Sequence, residues 1–337
     1  MNDILLKACR LEETERRPVW FLRQAGRYLP QYWKLKKGKR LQELFKDVEA
    51  AAQLTALPVI ELGVDAAIVF ADILTPLEGL GMYIDYEQQS PYVYHSMTLS
   101  SVIKALENFD PSSIHYVYDT IRSARSILSD SVPVIGFTGA PYTIGVYTLW
   151  SRSKDSTAVK ALMHNGDEWF SFMDSMVCFL SSYVRCQVEA GARAIVIFDT
   201  LAYTLSREQF EKWMVSHTRA LILEIRKLNV PVIYYLRNPS HLLKSIKRLS
   251  ANVVGVDWTV DIATAWDELG TGVGIQGNLD PSAPLAGLEH AVRESVKILL
   301  STRGRKGHIF SLGHGIHPST STEVLKRLVE MVKRWGC

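Results

Sequence analysis

Arg23 and Arg27 stand four residues apart, directly behind the apolar run Pro18–Leu22. Each carries a permanently charged, planar fork that matches a carboxylate or phosphate through two parallel hydrogen bonds. A spacing of four puts both forks on one side of a helical turn. Other ionisable or hydrogen-bonding groups follow apolar runs in the same way. Asp72 comes after Ala66–Phe70, Tyr147 lies in the glycine-rich stretch beyond Pro133–Phe137, and Asp199 and Thr200 follow Ala194–Phe198. Arg237 follows Pro231–Leu236 and Asp257 follows Val253–Val256. Gln276 and then Gly277-Asn278 follow Gly272–Ile275, and Gly313-His314-Gly315 follows His308–Leu312. On one shared rim these groups make a cleft with several cations and donors, one or two acids and a histidine. Such a site holds an anion and has groups able to move protons within it.

Each of these residues also has a structural reading. Arg23 and Arg27 could tie the N-terminal arm to Glu12 or Glu13, and Asp72 could cap whatever follows it. His314 could be a core histidine, although its flanking glycines argue for close backbone approach. His314 and His317 have a spacing that can bind metal, but neither cysteine nor carboxylate is near them in sequence, so no metal is expected. Arg237 and Asp257 read best as a buried salt bridge. The basic run Lys34, Lys36, Lys37, Lys39 and Arg40 is either a solvated face or a lid over an anionic ligand.

The apolar runs that carry these residues are continuous rather than alternating, the pattern of strands buried on both faces. Helical patterns separate most of them: Val48–Leu62, Ser112–Leu128, Asp167–Glu189, Arg207–Leu228, His241–Leu249, Asp261–Leu269, Leu288–Leu300 and Ser321–Trp335. Asp167, Ser206 and Ser321 are placed to cap helices. Eight strands alternating with helices predict a parallel sheet, closed as a (β/α)8 TIM barrel or open and doubly wound. The count of eight favours the barrel, as does the lack of a G-x-G-x-x-G after the first strand. The expectation is one α/β domain over residues 1–337. Length beyond a minimal barrel of about 250 residues falls in the N-terminal arm through Arg40, in Ile73–Pro111 and in the loop Thr138–Asn165.

A net charge of +3 on 337 residues is too weak for a nucleic-acid footprint. The four cysteines, Cys9, Cys178, Cys186 and Cys337, form no C-x-x-C or H-x-C pattern. That argues for a reducing compartment and against a thiolate zinc site. The N-terminus is too polar for a secretory signal, so a cytoplasmic protein is expected. Ser131–Ser151 lacks charge over a length that could span a bilayer, but its prolines and glycines mark a buried strand and loop instead.

The segment Pro18-Val19-Trp20-Phe21-Leu22-Arg23-Gln24-Ala25-Gly26-Arg27-Tyr28-Leu29-Pro30 resembles the N-terminal signature of the uroporphyrinogen decarboxylase family. The resemblance continues in Ala66–Leu74, Gly136–Thr143, Gly255–Trp258, Gly277–Pro281 and Leu312–Gly315, in family order along the whole chain. It implies a single-domain barrel, a homodimer, and no metal or organic cofactor. It also implies removal of the four acetate carboxyl groups of uroporphyrinogen III as CO2, giving coproporphyrinogen III on the way to haem. Residue by residue, it implies that Arg23 and Arg27 contact substrate carboxylates and that Asp72 meets the pyrrole N–H groups. Tyr147 would lie beside the reacting acetate and His314 near the mouth, with Gln24 and Lys36 as further polar contacts. Thr200 stands where many members have serine, keeping the hydroxyl with a stiffer rotamer. Tyr142 replaces a frequent tryptophan.

Decarboxylation leaves an electron pair that needs a sink, commonly an organic cofactor. A protonated pyrrole can serve instead, given cations for the carboxylates, an anion for the developing ring charge and a proton donor. Asp72 is the candidate anion. Arg23, Tyr147 and His314 are the candidate donors. Two rivals differ in class: a zinc-dependent corrinoid or thiol methyltransferase on the same barrel, and a tetrapyrrole carrier without chemistry. The first lacks a ligand set in this sequence, and the second does not require this array of reactive groups.

Overall fold

The computed structural model describes residues 2–86, 91–149 and 156–335; Cys337 lies outside them. In chain order the strands are β1 (Ala67–Ile68), the separate antiparallel pair β2 (Tyr83–Asp85) and β3 (Tyr92–Tyr94), then β4 (Val134–Gly139), β5 (Ala194–Asp199), β6 (Val232–Leu236), β7 (Val253–Gly255), β8 (Gly274–Leu279) and β9 (His308–Leu312). All but β2 and β3 form one parallel sheet in the order β1-β4-β5-β6-β7-β8-β9, with helices between successive strands. Every residue of β4, β6, β8 and β9 is buried. Helices on the outside and packed side chains on the inside leave no polar face, which is why the apolar runs are continuous.

The first expected strand, Pro18–Leu22, is not a ladder strand. Only Val19 pairs, in a single parallel bridge to Phe310 of β9. Its carbonyl accepts the N–H of Asp65, two residues before β1, so this one segment touches both edges of the sheet and the sheet curls around. Two local facts keep the segment short. Pro18 has no N–H to give, and the N–H of Val19 goes to the Asp65 carboxylate at 2.8 Å instead of to a strand.

The expected helices form with corrections. Val48–Leu62 runs as read. The Arg207–Leu228 stretch is two helices, Arg207–Trp213 and Val215–Arg226, the first opened by a Ser206–Gln209 capping box. Asp167 lies in the first turn of Gly166–Glu189 rather than at its cap, where its charge still suits the helix dipole. The expected strand Gly272–Ile275 extends to Leu279, so Gln276, Gly277 and Asn278 belong to β8. The uncharged stretch from Ser131 is a strand followed by the helix Pro141–Leu149, not by a loop. Among the described residues, no helix is long and apolar enough to cross a membrane.

Asp65 ties the seam together. Its buried carboxylate accepts both terminal nitrogens of Arg16 at 2.8 and 2.6 Å, the Asn2 amide at 3.0 Å and the Val19 N–H, and it pairs with Lys333 of the C-terminal helix at 3.0 Å. Burial alone would raise its pKa. Arg16, Lys333 and the Val19 N–H together outweigh that and hold it below the ordinary carboxylate value. Its stabilisation is therefore complete above about pH 4 and is lost as the pH falls through the folded value. Asp65→Asn should destabilise the fold by about 3 kcal/mol at neutral pH. Its melting temperature should depend less on pH below about pH 4 than that of the wild type. Equal wild-type and variant melting temperatures at pH 7 would contradict the seam role.

Candidate active site

The signature turn is built on a strained residue held from both sides. Arg23 adopts φ = 51°, the left-handed region that costs a side-chain-bearing residue roughly 1–2 kcal/mol. Gln24 offsets this cost. Its Oε1 accepts the Phe21 N–H at 3.1 Å and its Nε2 donates to the Ala66 carbonyl at 2.8 Å, pinning the turn to the residue just before β1. Both ends of the amide are thus spent on backbone, and Gln24 is fully buried. The expected substrate contact is corrected to a structural one. The Tyr28 hydroxyl adds a bond to the Gln24 carbonyl at 2.6 Å.

The stem of Arg23 lies on Gly315, where a Cβ would come within 3.0–3.4 Å of its Cδ, Cβ and Cγ. Gly313 is as tightly placed, since a Cβ there would meet the Trp258 nitrogen at 2.6 Å. The two glycines thus let the loop after β9 slide between Arg23 and the Asp257-Trp258 backbone, which brings His314 beside Arg23. The His314 Nδ1 accepts the Gly315 N–H at 2.6 Å, so the neutral ring carries its proton on Nε2. Burial, then Arg23 and Arg237, push the His314 pKa down to about 4, against a small opposing pull from Asp257.

Asp72 follows β1 in a tight turn. Its Oδ1 accepts the Leu74 N–H at 3.0 Å, and its backbone N–H donates to the Thr75 hydroxyl at 3.1 Å. It therefore fixes a turn two residues ahead of the helix Thr75–Glu78 while staying half-buried at the strand end. Burial raises its pKa; the Leu74 N–H and the charge of Arg23 oppose the rise. Tyr147 projects from the helix Pro141–Leu149. Its phenol is held protonated first by burial and then by the charge of Asp72, with Arg23 and Arg237 pulling the other way. Arg23 is thus electrically coupled to Asp72, Tyr147 and His314.

Three further residues complete the account. Thr200 sits half-buried just past β5. Its neighbour Asp199 is buried and structural, accepting the Thr143 hydroxyl at 2.7 Å and the Tyr234 hydroxyl at 2.6 Å. Thr143 is on the Tyr147 helix, so this acid anchors that helix to β5 and β6. Arg27 is exposed at the outer edge, and its charge acts on Tyr32. Lys36 leans over the Trp33 ring at 5.6 Å. Within the basic run, Lys39 pairs with Asp47 and Arg40 with Glu43, so a fully charged lid is not formed.

The expected Arg237–Asp257 salt bridge is absent from the ion pairs of the described residues. The buried Asp257 carboxylate is taken by the Asn238 N–H at 2.7 Å and by the N–H and hydroxyl of Thr259. Arg237 is left exposed over the Tyr203 ring. The spacing Asp257-x-Thr259, an Asx-turn signal, was the clue that the carboxylate is used locally. The alternative partners of Arg23 and Arg27 are also taken: Glu12 pairs with Arg10 and Glu13 with Lys306. Among the described residues, Arg23, Arg27 and Arg237 make no ion pair, and no group of three metal-ligating side chains comes together. Cys178 and Cys186 lie on the outer helix Gly166–Glu189.

A family model described as uroporphyrinogen decarboxylase matches residues 1–335. The chain belongs to the uroporphyrinogen decarboxylase family. Similar proteins named uroporphyrinogen decarboxylase include one from Carboxydothermus hydrogenoformans, 39% identical over 98% of this chain and 96% of that protein. Another, from Geobacter metallireducens, is 39% identical over 99% of each. Among solved structures, a methyltransferase from Methanosarcina mazei superposes with a TM-score of 0.82 at 20% identity, covering 98% of this chain and 97% of that one. At that identity the likeness concerns the fold alone.

The His314 assignment is directly measurable. Nitrogen-detected NMR of the histidine rings should show His314 as the Nε2–H tautomer, neutral from about pH 5 upward, with a midpoint near 4. Arg23→Met should move that midpoint up, though not as far as about 6.5, because burial remains. A wild-type midpoint near 6.5 would rule the assignment out.

Proposed function

We propose that this protein is a cytoplasmic, homodimeric uroporphyrinogen decarboxylase that removes the four acetate carboxyl groups of uroporphyrinogen without a metal or organic cofactor. Residues 1–337 would form one domain in which Val19 completes the seven-stranded sheet as the eighth strand of a (β/α)8 barrel. The observation that carries the functional reading is the electrostatic coupling of half-buried Asp72 to Arg23 and to the phenol of Tyr147. Family membership supplies the substrate.

The geometry supports the following roles. Arg23 and Arg27 hold carboxylate arms as forks, Arg23 near the reacting acetate and Arg27 at the outer edge. Asp72 receives the pyrrole N–H groups. Protonation of the ring carbon next to the one bearing the acetate makes an iminium. The acetate carbon–carboxyl bond then breaks, CO2 leaves, and its electrons form an exocyclic double bond while the iminium is neutralised. A proton added to the exocyclic carbon gives the methyl group, and loss of the first ring proton restores the pyrrole. The net change is one proton gained and one CO2 lost per arm. Both cationic stages carry charge toward Asp72, whose low-dielectric setting strengthens the attraction. Tyr147, the Nε2–H of His314 and the Thr200 hydroxyl would serve as donors to the reacting arm, with Lys36 a more distant contact.

Release of CO2 from uroporphyrinogen under anaerobic conditions, with coproporphyrinogen as product, tests the reading; a protein that binds the substrate without turnover would be the carrier instead. Asp72→Asn, of the same shape but neutral, should lower kcat by a factor of about 100 or more. Near-native turnover in that variant would refute the electrostatic role. Arg27→Ala should chiefly raise KM, and an unchanged KM would remove Arg27 from substrate binding.

A further inference from the structure

We propose that Arg237 is a substrate-anchoring residue that grips a carboxylate arm on the side of the cleft opposite Arg23; the proposal rests on the decarboxylase reading. Strand order places it there. In the sheet β1-β4-β5-β6-β7-β8-β9, β6 is the middle strand, and Arg237 is the first residue after it. Arg23 leaves the Val19 segment, which touches both outer edges. Because the sheet curls until its two edges meet one segment, its middle strand lies across from that segment. Both guanidiniums nevertheless act electrostatically on the same two groups, Tyr147 and His314, so neither is remote from the other's surroundings.

Local structure keeps the Arg237 fork available. The acid expected to neutralise it, Asp257, is turned into the backbone by the Asn238 N–H and by Thr259. The residue that supports Arg237 is Tyr203, in the turn after β5, whose ring centroid lies 5.8 Å from the guanidinium carbon. An aromatic face orients a guanidinium without consuming its donors. An arginine held by its flat side, with no carboxylate partner among the described residues, is a prepared anion site rather than a structural ion pair. The substrate makes such a site necessary, because its carboxylate arms ring the whole macrocycle. Arg23 and Arg27 reach only one edge, and a grip on one edge alone would let the ring pivot away from Asp72.

The test is an anaerobic titration with uroporphyrinogen, read by tryptophan fluorescence, for wild type, Arg237→Met and Arg237→Lys, together with steady-state kinetics. Methionine keeps an apolar stem against Tyr203 and removes the charge. Since the side chain is exposed, the variant should melt with the wild type. Its Kd and KM should rise about tenfold or more, as expected for losing a charge-assisted bond, while kcat stays within about twofold. Lysine should recover part of the loss, because it keeps the charge without the fork. In the free protein, Arg237→Met should also raise the His314 titration midpoint, because its charge opposes protonation of that ring. Unchanged Kd and KM, or a fall in kcat at unchanged Kd, would overturn the proposal. A wild type that binds uroporphyrinogen but releases no CO2 would instead overturn the decarboxylase reading, so the two failures are distinguishable.

Discussion

The Asp65 carboxylate is the constraint on which the cleft depends. Its acceptor positions are filled by Arg16, Asn2, the Val19 N–H and Lys333, drawn from the N-terminal arm, the bridging segment and the last helix. None of these has a ladder of its own to hold it, and a single parallel bridge is weak. A buried acid left short of partners would be costly, so the chain ends must converge on it. Once Val19 is fixed there, Phe21 and Gln24 are fixed by the amide bonds of Gln24, and Arg23 is forced through a left-handed turn. The strain at Arg23 is offset by the bonds of Gln24 to backbone on both sides of the turn, since a residue in a sparsely populated conformation persists only where its surroundings over-determine it.

At the cleft the balance of charge runs the other way. Arg23 and Arg237 lower the basicity of His314 and oppose the rise in Tyr147, while Asp72 is raised by burial. A folded protein could relieve this tension by pairing each arginine with an acid. Glu12, Glu13 and Asp257 are all bonded elsewhere. The guanidiniums of Arg23, Arg27 and Arg237 are exposed and solvated, so going without an ion pair costs the fold little and leaves their donors available. Burial, and then the same field, keep His314 neutral, with its ring proton on Nε2.

Much of this was legible in the sequence, and the failures have identifiable causes. Buried parallel strands leave continuous apolar runs, so the sheet and the residues at its strand ends could be read in order. The signature block located Arg23 and Arg27, and the glycines around His314 announced close approach before their neighbours were known. Gln24 was misread because a polar residue in a signature looks like a contact, whereas its amide is the brace that makes the turn possible. Arg237 was misread because adjacent strands offered an opposite charge. The winning competitors for Asp257 were backbone N–H groups, which sequence shows only through turn chemistry. The helix bearing Tyr147 was read as a loop because Gly139, Pro141 and Gly145 look like breakers. In the fold, Gly145 faces Met173 and Phe172 at distances that leave no room for a Cβ, so its role is close helix packing.

The likeness to a methyltransferase structure at a TM-score of 0.82 and 20% identity shows that this fold is held by very different sequences. Sheets of this kind place reactive groups on the loops after the strands and leave the scaffold to packing. Here those loops carry arginine, aspartate, tyrosine and histidine, and the described cysteines sit on an outer helix or in the N-terminal arm. Among the described residues, then, no cysteine stands at a strand end, whereas Arg237 follows β6 and Arg23 and Arg27 follow the Val19 segment. Changing the reaction on this scaffold would not require a different sheet. It would require other side chains at positions such as Arg23, Asp72 and Arg237, because the parallel ladder holds the strand ends in place whichever side chains follow them.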